Sequence, residues 1–182
     1  KYPISYEVKV VNEKFTCYEE AIKTGSNIVL AKENMEKKYT LSSPLTSVAL
    51  DESGTIFYTD TKAGLSIKSI SGEHIKDIGV KGYVINIIKG WLYYSKENNS
   101  RLNDVNADIV KLDTKALHDA PKKILSNISG ESTVILPNRK YIYEEKVRDG
   151  QFRPILYNIE TKKYKELEID SKFLNVLPFY SY

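Results

Sequence analysis

At 182 residues, the chain is long enough to bury a sizeable core and is expected to form a single domain. Its 41% hydrophobic and 28% charged residues exclude an intrinsically disordered chain. The net charge of +3 is spread over interleaved lysines and glutamates, as in Glu36-Lys37-Lys38, which reads as an ordinary solvated surface and argues against a nucleic-acid partner.

The elements read as short strands from the start. Tyr6–Val11 alternates apolar and polar residues, and Phe15–Glu20, Asn27–Ala31 and Lys38–Leu41 follow it. Tyr18–Lys23 could also begin a helical turn, which Thr24-Gly25 would stop. A second group is clearer. Ser47–Leu50 is a strand, Asp51-Glu52-Ser53-Gly54 a hairpin turn, and Thr55–Thr59 the next strand. Leu65–Ser69 is the third strand, and Ser71-Gly72 turns into His74–Ile78.

A third group runs Tyr83–Ile88, a Lys89-Gly90 turn, Trp91–Ser95, a long polar loop over 96–107, Asp108–Leu112 and Lys122–Leu125, with one helical turn conceivable in Asp113–Ala120. A fourth runs Thr133–Leu136, Lys140–Glu144, a loop over Val147–Arg153, Pro154–Asn158 and Tyr164–Ile169. Phe173–Phe179 resembles the first strand of a further group. No helix of ordinary length is legible.

The groups repeat. An apolar strand ending in Tyr and a polar residue occurs at Cys17-Tyr18-Glu19, Phe57-Tyr58-Thr59, Tyr93-Tyr94-Ser95 and Ile142-Tyr143-Glu144. The intervals between these tyrosines, 40, 36 and 49 residues, are those of propeller blades. The expected fold is therefore all-β: a β-propeller-like array of about four antiparallel blade units, as a partial or atypical propeller. One domain spans 1–182, with units at 4–42, 43–80, 81–128 and 129–182.

Phe57-Tyr58-Thr59-Asp60, followed by Ile67-Lys68-Ser69-Ile70-Ser71-Gly72, resembles a YWTD-type propeller repeat, with Phe for the leading Tyr and Tyr for the Trp. Gly90-Trp91-Leu92-Tyr93-Tyr94-Ser95, leading to Ile109-Val110-Lys111-Leu112-Asp113, is similar to repeats of bacterial TolB-like propellers. The resemblance covers roughly residues 45–170. It implies a fold and no particular reaction. Such propellers close with six or more blades, so an array of four implies either a variant or a portion of a larger one.

Little chemistry is legible. His74 and His118 lie in different units with no cysteine nearby, so no zinc set is expected. No Gly-x-Ser-x-Gly elbow is present, and Cys17 reads as a buried inert thiol. Asp104-x-Asn106-x-Asp108 opens like a calcium loop, but Ile109 and Lys115 stand where its glycine and glutamate belong. Asn98-Asn99-Ser100 and Asn127-Ile128-Ser129 match the glycosylation sequon. No cofactor or metal is expected.

Two sets of residues are candidates for binding. Glu19, Asp60 and Glu144 follow the repeated tyrosines and would form a carboxylate ring if the units are radial. Trp91 and Tyr94, with Tyr93, Tyr141 and Tyr143, offer an aromatic platform for sugar or peptide. The expected function is a non-catalytic binding or sensor domain outside the cytoplasm that contacts a protein, peptide or glycan through one loop face. The alternatives are a carboxylate-dependent hydrolase or lyase and a structural portion of a larger propeller. Because the chain opens on Lys1 rather than Met, it is read as an excised domain or mature form, with any leader or membrane anchor outside it.

Overall fold

The computed structural model describes residues 6–22, 25–42, 44–97, 107–128, 134–135, 140–148 and 151–167. Every regular element among them is a strand, and there are sixteen. The first four are β1 (Tyr6–Val11), β2 (Thr16–Ile22), β3 (Gly25–Lys32) and β4 (Met35–Leu41). They are followed by β5 (Val48–Leu50), β6 (Ile56–Asp60), β7 (Ser66–Ser71) and β8 (His74–Lys81). Next come β9 (Tyr83–Ile88), β10 (Trp91–Glu97), β11 (Ala107–Asp113) and β12 (Lys122–Ile128). The last are β13 (Val134–Ile135), β14 (Tyr141–Arg148), β15 (Gln151–Asn158) and β16 (Tyr164–Glu166).

Among the described residues these strands make four four-stranded sheets, each a meander of consecutive strands. The fold is all-β and propeller-like, as the repeated tyrosines predict. Tyr18, Tyr58, Tyr94 and Tyr143 each fall in the second strand of a sheet.

The chain divides into two compact units, one of Lys1–Lys96 with Lys111–Lys122 and one of Glu97–Val110 with Lys123–Tyr182. In the first, sheets one and two share a core. Cys17, Ile28, Leu30 and Leu41 come from sheet one, Leu50, Ile56, Tyr58 and Ile70 from sheet two, and Leu45 from the connection. In the second, Ile109, Ile142, Ile155 and Tyr157 are buried.

Local chemistry explains the turns. Asp51 Oδ1 accepts from the N–H groups of Ser53 and Thr55, both at 2.8 Å, and so closes the β5–β6 hairpin. Lys89 and Gly90 both adopt positive φ, 49° and 77°, the pair that a two-residue hairpin matched to strand twist requires. Gly82, at φ 148°, lies so close to the next sheet that an added Cβ would stand 2.1 Å from the Ser95 carbonyl oxygen.

Burial follows position within a sheet. All of β6 is buried, as are the middle residues of β3, because these strands are covered on both faces. The outer strands β4 and β8 are mostly exposed and carry Glu36, Lys37, Lys38, Lys76 and Asp77. Charges along an outer edge deter pairing with another chain.

The structure revises several boundaries. Tyr18–Ile22 is strand, so the helical alternative fails: each of its residues pairs with β3, from Tyr18↔Val29 to Ile22↔Gly25. Leu65 precedes its strand at φ 62°. It is half-buried, while Phe57 and Ile67 are fully buried. The loop expected over Val147–Arg153 is largely strand, since Val147 pairs with Phe152 and Arg148 with Gln151. Asp113–Ala120 makes turns without a helix. The Phe173–Phe179 segment and Asp104 and Asn106 of the calcium-like run lie outside the described residues.

Candidate functional site

The carboxylates that follow the repeated tyrosines are held inside the sheets. Glu19 is buried in β2. Its Oε1 accepts from the Leu45 N–H at 2.8 Å, and its Oε2 lies 3.0 Å from Lys9 Nζ. Glu7 is directly opposite Glu19 across the β1–β2 ladder, and Lys9 Nζ also reaches Glu7, at 2.7 Å. One ammonium therefore offsets the repulsion between two facing carboxylates.

Burial alone would raise the Glu19 carboxyl, but the hydrogen bonds from Leu45 N–H, Ser26 and Lys9 outweigh it and leave the group below its ordinary value. The folded state thus binds this proton more weakly than the unfolded chain does. The associated stability is present above the ordinary value of 4.5 and is lost as pH falls through the lower folded value. Urea unfolding midpoints of the wild type are expected to drop as pH falls below about 4.5, and those of Glu19→Gln to drop less. Parallel curves for the two proteins would contradict this.

Asp60 ends β6, buried. Its Oδ2 lies 2.6 Å from Lys68 Nζ, and its Oδ1 accepts from the N–H groups of Lys62 and Ala63 at 3.1 and 3.3 Å. Lys68 is the diagonal neighbour, because Asp60 pairs with Ser66. Glu20 accepts from Asn27 Nδ2 at 2.7 Å and pairs with Lys38. Asp108 lies 2.9 Å from Lys123 Nζ. These buried carboxylates therefore spend their charge within their own sheets. The Glu144 side chain lies outside the described residues, although its backbone pairs with Ile155 in β14.

The strand register also separates two members of the expected ring, Glu19 and Asp60. Glu19 is one residue after its tyrosine, and Asp60 is two after its own. A one-residue offset turns a side chain to the other face of a strand. Glu19 shares the face of Cys17, which meets sheet two, whereas Asp60 shares the face of Tyr58, which meets sheet one. The counterpart of Glu19 is Thr59, and that of Asp60 is Glu20.

Thr59 is fully buried and is the residue that sequence reasoning missed. Its hydroxyl accepts from the Val84 N–H at 3.0 Å and from Ser47 Oγ at 2.8 Å, and donates to the Gly82 carbonyl at 2.9 Å. Glu19 binds the Leu45 N–H on the way into sheet two much as Thr59 binds the Val84 N–H on the way into sheet three. The position after the tyrosine thus ties each of these sheets to the segment that follows it.

The aromatic candidates differ. Tyr94 is 1% exposed, and burial pushes its hydroxyl up to about 12. It is a packing residue whose ring closes over Gly82. Trp91 is half-buried at the start of β10. Lys111 Nζ lies 4.4 Å and Lys122 Nζ 5.2 Å from its ring centroid. Neither lysine could be matched to Trp91 from the sequence, because the long polar loop between β10 and β11 leaves their register open.

Among the described residues, no group of three or more His, Cys, Asp or Glu is placed to hold a metal ion. Cys17 is buried, and desolvation with the nearby Glu19 charge pushes its thiol up to about 12.

No protein-family model matches the chain, and no curated protein matches it. Solved structures do. The chain is similar to TolB from Acinetobacter baumannii at 20% identity and a TM-score of 0.55, over 80% of this chain and 38% of that one. It is also similar to a chain of a nidogen/laminin complex at 17% identity and a TM-score of 0.58, over 91% of this chain and 64% of that one. The chain therefore spans less than two thirds of either. At these identities the likeness establishes the propeller fold.

Proposed function

We propose that this domain is a non-catalytic binding module acting outside the cytoplasm, and that it contacts a protein, peptide or glycan through the end of sheet three that carries Trp91. The observation that supports this most is the contrast between the two candidate sets. Glu19 and Asp60 are buried and neutralised by Lys9 and Lys68. Trp91 is a half-exposed indole with two ammonium groups over it. Large amphipathic rings at a solvent boundary are the usual anchors of recognition surfaces. The likeness to a chain found in a nidogen/laminin complex agrees with a binding role.

The test is retention of a component from cell-envelope extract on immobilised protein. Wild type is expected to retain one, and Trp91→Ala, with an unchanged thermal midpoint, is expected to lose most of it. Equal retention by both proteins, or turnover of a substrate by the wild type, would overturn the reading.

A second reading has one observation in its favour. The chain spans 38% and 64% of the two chains it resembles, which suits a portion of a larger array.

A further inference from the structure

Sheet one leaves open a face that its counterparts keep covered. Val8, Val48 and Val84 stand opposite the repeated Tyr18, Tyr58 and Tyr94 in the ladders of sheets one, two and three. Tyr58, Tyr94 and Val84 are buried, and Val48 is half-buried. On the same faces, Leu50 and Ile56 are buried in sheet two, and Ile87 and Leu92 in sheet three. In sheet one, Val8 and Val11 are both 58% exposed, and Tyr18 is only half-buried. The register shift between Val8 and Val10 turns both valines to the face of Tyr18. Two exposed valines thus lie side by side on a surface that sheets two and three bury.

The registers show what fits there. The residues before the repeated tyrosines, Cys17, Phe57, Tyr93 and Ile142, point to the opposite faces of their strands and are buried in all four sheets. A second copy therefore has no free face of that kind to offer, and the apolar sheet surface it brings is the one around Val8. That surface is self-complementary. One row across the four strands runs Val11, Thr16, Ala31, Glu36, and the next runs Val8, Tyr18, Val29, Lys38. A two-fold axis between the rows lays each over the other. Val11 then lies over Val8 of the other copy, Thr16 over Tyr18, Ala31 over Val29, and Glu36 over Lys38. Valines meet at one end, small side chains face larger ones in the middle, and opposite charges meet at the exposed outer strand. No like charges are opposed, and Lys38 keeps its pair with Glu20.

We propose that two copies of this chain pair through this face of sheet one as a closed two-fold dimer. The inference goes beyond the Trp91 reading and does not rest on it. Four strands about 4.8 Å apart, with about 3.4 Å per residue, give a flat footprint of roughly 400 Å². That is at the low end for a specific interface, so the dimer is reversible at micromolar concentrations.

Sedimentation velocity from low micromolar to several hundred micromolar protein is the test. Wild type is expected to shift from one chain to two and to go no further. Each substitution enters a two-fold interface twice, so Val8→Lys is expected to weaken pairing at least about tenfold. Val8 is exposed, and an unchanged thermal midpoint in dilute solution checks that the variant folds. Glu36→Lys opposes like charges and is expected to weaken pairing less, with an effect that shrinks as salt rises. Met35→Lys is the control, since Met35 is 59% exposed on the other face of the same sheet and is expected to change nothing. A single chain at every concentration, growth beyond two chains, normal pairing by Val8→Lys or Glu36→Lys, or an equal loss in Met35→Lys would each overturn the proposal.

Discussion

Replacing Ile67 by Asp is expected to cost at least about 3 kcal/mol, a large share of the about 5–15 kcal/mol that keeps a domain folded. Ile67 has 0% exposure in β7 and pairs with Thr59 across the β6–β7 ladder. Residues paired in this way share a face, and that face belongs to Phe57 and Thr59, turned toward β9. An aspartate there could neither reach water nor find a cation. It would have to be buried charged or take up a proton, and either outcome destabilises the fold. Ile67→Val removes one methylene from the same site and is expected to lose only about 1 kcal/mol. Urea denaturation of both variants checks the ordering. An Asp variant within about 1 kcal/mol of wild type would mean that the β6–β7 face is open to solvent.

The fold was legible because the repeated tyrosine has a fixed job. Tyr58 and Tyr94 sit in the second strands of their sheets and turn toward the preceding sheet, Tyr58 into the core shared with sheet one and Tyr94 over Gly82. A residue that fills the same kind of gap in successive sheets, as these two do, leaves a period in the sequence. Strand limits were legible to within one residue in the buried strands β6 and β11. The long β14–β15 hairpin shows a different limit, because its ladder continues through the charged Arg148 to Gln151 where the polar residues read as a loop.

The candidate site was read less well, for two reasons. First, the proposed ring mixed positions one and two residues after the tyrosine, which alternation puts on opposite faces. Asp60 attracted attention because it is charged, while the neutral Thr59 holds the linking hydrogen bonds. Second, the partners of the buried carboxylates depend on register. Lys68 meets Asp60 through a diagonal that a short hairpin fixes, and Lys9 meets Glu19 only after the β1–β2 register shifts between Val8 and Val10. Trp91 was visible as an exposed-type aromatic, but the two lysines over its ring were not.

The hydroxyl of Thr59 should be worth more to this protein than any exposed ion pair. Thr59→Val keeps the shape of the side chain and removes only its hydrogen bonding. The Val84 N–H, the Gly82 carbonyl and Ser47 Oγ then lose their partner in a region where Thr59 is 0% exposed and Val84 5%. Leaving a buried polar group unsatisfied costs about 1–3 kcal/mol, so two orphaned backbone groups are expected to cost about 3 kcal/mol together. Thr59→Ser restores the hydroxyl, loses a methyl group and is expected to cost about 1 kcal/mol. The Val variant should therefore be the less stable of the two, although valine is the more apolar residue and the better strand former. Amide exchange supplies the local readout. The Val84 N–H is expected to exchange faster in Thr59→Val by more than the global loss of stability explains, and to regain protection in Thr59→Ser. If Val proved as stable as Ser and Val84 stayed protected, the link between sheets two and three would rest on apolar packing alone, and Thr59 would hold its position for its shape.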